Sequence, residues 1–114
     1  MSKVFFTDLR TNPKRNLLDK IEDLLNRTKI NEKINKNDIV AIKIHFGEYG
    51  NTAYLRPVFL RRIVERIKNL GGKPFLTDTN TLYTGSRSDA VSHLTTAIRN
   101  GFDYACVECP IIIA

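Results

Sequence analysis

His45, Glu48 and Asp78 have the residue types and setting for chemistry, and Lys43 stands beside them. An imidazole with two carboxylates suits a divalent metal. The same groups suit general acid and base work. His-x-x-Glu leaving a strand is not the helical HExxH arrangement, so its spacing does not choose between the two, and a structural histidine bonded to its own loop is the plain alternative. Lys43 interrupts an apolar run, and an ammonium in a buried strand is costly unless paired. It reaches Asp78 or Glu48, passes the sheet edge to water, or faces a ligand. A second set points to anions: Gly47, Asn51, Thr52 and Arg56, then Asn80 and Arg87. Gly50-Asn51-Thr52 and Gly85-Ser86-Arg87-Ser88 each precede a helix, and helix N-termini favour anions. Arginine suits phosphate or carboxylate. Neither segment is a dinucleotide fingerprint or a Walker loop, so ordinary turn and cap chemistry is the competing account.

The elements that must position these residues alternate. Lys3–Leu9 (KVFFTDL) reads as a first strand, stopped near Pro13. Asn16 caps a helix, with Asp19 completing a capping box. Leu17, Ile21, Leu24 and Leu25 then recur at helical spacing. Ile39–Ile44 is a near-continuous β-branched run, as expected of a strand covered on both faces in mid-sheet. A second helix follows Asn51-Thr52, with Pro57 in its first turn. Its stripe is Phe59, Leu60, Ile63, Val64, Ile67 and Leu70, closed by Gly71-Gly72. Lys73–Asn80 is the third strand. Ser86 or Ser88 caps a third helix with Val91, Leu94 and Ile98 on its buried face and His93 on its surface. Ile111–Ala114 is the fourth strand. The order βαβαβαβ predicts an α/β fold: a mainly parallel sheet flanked by helices in three layers. All strand tips then point one way, so Asp8 and Arg10, His45 and Glu48, and Asp78 and Asn80 gather along one edge, where α/β sheets bind ligands.

Composition narrows the classes. At 114 residues, with 42% hydrophobic and 26% charged residues, the chain suits one α/β domain spanning residues 1–114. The net charge of +6 is spread over helix faces without interleaved aromatics, which argues against nucleic acid. No run approaches the ~20 apolar residues of a membrane span. The N-terminus has no signal-peptide h-region, so a cytoplasmic protein is expected. Cys106-x-x-Cys109 runs towards a strand rather than opening a helix, and two thiols are half of what a cluster needs. The apolar ending Pro110–Ala114 predicts that the chain is a piece of a longer protein.

Three stretches carry a resemblance: KIHFGEYGNTAYLRP (43–57), GGKPFLTDTNTLYTGSR (71–87) and PIII (110–113). Together they resemble the N-terminal part of the family called domain of unknown function 362. The resemblance covers nearly the whole chain. It implies a longer parent protein, many members carrying a later ferredoxin-like segment with [4Fe–4S] clusters and being described as iron–sulfur proteins. It singles out His45, Gly47, Glu48, Thr52, Arg56, Asp78 and Asn80. This chain lacks the ferredoxin part, so a cluster is implied only for a further C-terminal segment. Two functions follow as expectations. The first is a small-molecule, anion or metal site at the strand tips. There His45, Glu48, Asp78 and Lys43 act as catalytic groups, His45, Glu48 and Asp78 as metal ligands, and Arg56 as a clamp. The second is a non-catalytic scaffold for a ferredoxin-like partner or for the rest of the parent chain, docking through Arg61, Arg62 and Arg66. The residues do not name a reaction.

Overall fold

Asn16 begins the first helix, α1 (Leu17–Arg27), as the capping box requires. Its side-chain oxygen accepts from the N–H groups of Leu18 and Asp19 at 2.8 and 3.1 Å, and the Asp19 carboxylate accepts from Asn16 N–H at 2.8 Å. The computed structural model describes every residue from Met1 to Ala114. A polar turn leads to β1 (Ile39–Lys43). Helix α2 (Pro57–Asn69) starts on its proline, whose missing N–H costs nothing in the first turn. Then come β2 (Lys73–Asp78), α3 (Ala90–Arg99), the single turn α4 (Tyr104–Val107) and β3 (Ile111–Ile113).

The three strands are parallel in the order β1-β2-β3, with Ile42 beside Leu76 and Leu76 beside Ile111. The α/β class with a parallel sheet is therefore as expected. Strand alternation sends Ile42, Ile44, Leu76, Ile111 and Ile113 to one face. There they pack with Leu60 and Val64 of α2, Ala97 of α3, Phe102, and Val107 and Cys109 around α4. Burying each large aliphatic chain of this kind contributes about 1.5–3 kcal/mol. The other face carries Ile39, Ala41, Lys43, Lys73, Phe75, Thr77 and Ile112. Ile39 and Ile112 there are 77% and 51% exposed. Of the three layers expected, these residues build two.

Three expectations about elements change. Lys3–Leu9 forms no strand. Its sequence has strand character, but a strand needs a hydrogen-bonded neighbour. Here the segment lies along α1, where buried Lys20 donates to the carboxylate and the carbonyl of Asp8. Leu9 borders an apolar cavity of about 290 Å³ between α1 and α2. β1 is accordingly the edge of the sheet, not its middle, and only its even-numbered residues are covered. Helix α3 is capped by Asp89, whose carboxylate accepts from Ser92 N–H at 2.9 Å, rather than by Ser86 or Ser88. Its buried face differs too: Val91 and Ile98 face solvent, while His93, Thr96 and Ala97 face inward.

Candidate functional site at the strand tips

Parallel strands carry the end of β1 and the end of β2 to the same edge, and the side chains there form one connected group. Lys43 Nζ is 3.0 Å from Asp78 Oδ1, the first of the alternatives for this lysine. Its side chain remains 71% exposed, so the ammonium keeps most of its water. Asp78 is buried, accepts from Thr79 N–H at 2.9 Å, and has Arg87 Nη1 at 3.5 Å and His93 Nε2 at 3.8 Å. Arg87, also buried, reaches over to Glu48: Nε and Nη2 lie 2.8 and 2.5 Å from Oε1. Tyr83 closes the group by donating to Glu48 at 2.5 Å and accepting from Arg87 at 2.7 Å.

These contacts set the ionisation. Hydrogen bonds from Arg87, then from Tyr83, hold the Glu48 carboxyl down at about 2. For Arg87, burial opposes the charge, but the bonds to Glu48 and Tyr83 outweigh it and the net shift is upward. Burial pushes His93 below its usual range, against the attraction of Asp78. His93 is fully buried. Its Nδ1 lies 3.2 Å from Asn80 Oδ1, its ring meets Phe46 edge-on, and its Nε2 has no partner.

The loop after β1 is shaped by one glycine. Gly47 has φ +85°, and a Cβ there would stand 2.4 Å from the Tyr54 ring and 2.8 Å from Asn100 Nδ2. Its N–H donates to His45 Nδ1 at 2.9 Å, so the neutral imidazole carries its proton on Nε2. Asn100 ties the loop to α3 by donating to the Phe46 carbonyl at 2.9 Å. His45 itself is exposed and, with Lys43, Tyr54 and Leu55, borders a cavity of about 530 Å³ beside β1. Across Tyr54 lies a second cavity of about 320 Å³, lined by Thr52, Arg56, Pro57 and Asn100 at the start of α2. No side chain caps that helix.

The structure thus brings Lys43, Glu48, Asp78, Asn80 and Arg87 into one group, with His45 at its rim and Thr52 and Arg56 in the neighbouring cavity. Asn51 caps its own turn, accepting from Ala53 N–H at 2.8 Å. Asp8 stays with Lys20, and Arg10 is exposed. No group of three His, Cys, Asp or Glu side chains converges as a metal site would require. The carboxylates of Glu48 and Asp78 face cations instead. Cys106 sits on α4, and Cys109 is fully buried with its thiol pushed up by burial. Two such thiols do not fit a [4Fe–4S] cluster. Sequence reasoning missed Tyr83, His93, Thr96 and Asn100. The last three lie at i, i+3 and i+7 along α3 and its C-cap, a polar stripe with helical spacing that marked the inward face.

A parallel α/β domain with a polar group at its strand tips is the class that fold and site define. The chain belongs to the family described as Domain of unknown function (DUF362), whose model matches residues 40–114, about two-thirds of the chain. The matched part runs from β1 to the end and holds every residue of the strand-tip group. No curated protein and no solved structure matches the chain. No helix is long and apolar enough to cross a membrane.

Proposed function

We propose that this DUF362 chain binds a small anion at the C-terminal edge of its sheet. The supporting observation is the balance of groups around the two cavities. Lys43, His45, Thr52, Arg56 and the first turn of α2 all offer donors. The nearby carboxylates of Glu48 and Asp78 are already held by Arg87 and Lys43. An uncapped helix start next to a free guanidinium favours phosphate or carboxylate. In this reading Lys43 and Arg56 clamp the ligand, and His45 Nε2–H is the group placed to exchange a proton with it. Glu48, Asp78 and Arg87 position the loops.

Thermal unfolding with inorganic phosphate, citrate and matched chloride tests this. Phosphate or citrate at tenfold its dissociation constant would stabilise by about 1.4 kcal/mol, or roughly 5 °C for a domain of this size. Arg56→Ala and Lys43→Ala should each remove most of that shift. An equal shift with chloride would refute an anion site. A shift with magnesium or zinc that His45→Ala abolishes would transfer the proposal to a metal.

The alternative of a docking scaffold rests on the basic face of α2. Arg66 pairs with Glu22 and donates to Asn26 and Asn31, while Arg62 lies between Glu22 and Glu65. These charges are largely matched within the chain, which favours the anion reading.

A further inference from the structure

The sheet face opposite the helices has no cover in this chain. Its apolar residues are Ile39 and Ala41 of β1, Phe75 of β2 and Ile112 of β3; Ala41 stands beside Phe75, and Ile112 beside Thr77. A parallel sheet with one bare apolar face is unusual, because βαβ folds bury both. The border is cationic. Lys73 stands beside Ile39 at one end of the strands and Lys43 beside Thr77 at the other. At the Lys73 end the face dips into a depression of about 410 Å³, with Ile39, Phe75 and Ile112 among its walls and Lys68 and Lys73 beside them. The one carboxylate lining that depression is Glu108.

We infer that this face is the seat of an amphipathic helix whose apolar stripe is bordered by acidic side chains. The helix lays its stripe on Ile39, Phe75 and Ile112. Its carboxylates meet Lys73 and Lys68 at one end and Lys43 at the other. Sheet faces accept helices as their covering layer, and charge complementarity selects an acidic border over a basic one. The seat shares Lys43 with the anion site but not Thr52 or Arg56, and its test changes only Ile39, Ile112, Lys68 and Lys73, so a failure of helix docking is distinguishable from a failure of anion binding.

Fluorescence anisotropy with three synthetic peptides tests it on the full chain. One peptide is helical with a leucine stripe bordered by glutamates, one has the same stripe bordered by lysines, and one is the glutamate peptide scrambled. The glutamate-bordered helix should bind at least tenfold more tightly than either of the others. Ile39→Ser with Ile112→Ser changes residues already exposed, so the circular dichroism should be unaltered while that affinity falls at least tenfold. Lys68→Glu with Lys73→Glu should reverse the preference between the two helical peptides. Equal binding of the helical and scrambled glutamate peptides, or indifference to the isoleucine changes, would overturn the inference. So would a concentration-dependent dimer that the isoleucine changes dissolve, since the occupant would then be a second copy.

Discussion

Helices α2 and α3 both cross the same face of the sheet, yet they bury opposite kinds of surface. α2 turns Leu60, Val64 and Ile67 inward, the apolar residues of its stripe. α3 turns His93, Thr96 and Ala97 inward and leaves Val91 and Ile98 in water. The difference follows from what lies beneath. α2 covers the apolar middle of the sheet, where transfer from water governs. α3 helps cover the strand tips, where Asp78, Arg87 and Glu48 need polar neighbours. Thr96 donates to the Ser86 carbonyl at 2.9 Å, and His93 meets Asn80, so α3 holds the site loop through hydrogen bonds. Amphipathicity says which sides of a helix differ, but the ground it packs on decides which side goes in.

That contrast can be broken, and the largest effect should lie under α2. Leu60→Ala empties part of the apolar core and should cost about 3 kcal/mol by urea unfolding. A cost below about 1 kcal/mol would mean that α2 is not packed as described. Asp78→Ala comes next. It leaves Glu48 as the one carboxylate on Arg87 and takes the partner from Lys43. A loss of about 2 kcal/mol is expected, moderated by the exposure of Lys43.

The third test is pH. His93 has a folded-state value below its ordinary 6.5, so the unfolded chain takes the proton first. Its contribution is complete above pH 6.5 and is lost as pH falls through that value towards the lower folded one. Glu48 acts in a separate window, between its ordinary 4.5 and about 2, where stability again falls with pH. His93→Leu should flatten the upper limb of the stability profile and leave the lower one. An unchanged upper limb would exclude His93 as its source. The smallest effect belongs to the outer face of α3. Val91→Ser should change stability by no more than about 0.5 kcal/mol, as exposed sites do. A core-sized loss there would put Val91 inside, and the contrast between the helices would collapse.

What could be read directly were features whose cause lies within a few residues. The Asn16–Asp19 capping box, Pro57 at the start of α2, Gly71 at its end, and the β1 and β2 runs all arise from local hydrogen bonding, fixed φ and periodicity. The convergence of Glu48 with Asp78 was legible too, because parallel strands must end together. Arg87 was picked out as an anion ligand, but its guanidinium holds Glu48 and approaches Asp78, a choice made by residues 39 and 9 positions away. Gly47 was singled out for a ligand, and the structure adds a packing reason for it, since Tyr54 and Asn100 close against it.

By itself the sequence determined the parallel α/β class, all three of its strands, two helix starts and the edge where polar side chains would meet. Only the tertiary structure decided that Lys3–Leu9 leaves the sheet, that β1 is an edge, that α3 turns its histidine inward and that one face of the sheet stays bare. The physical reason is range. Caps, turns and alternation are settled by neighbours in the chain, whereas strand pairing and the burial of a charge depend on partners brought together from dozens of residues away.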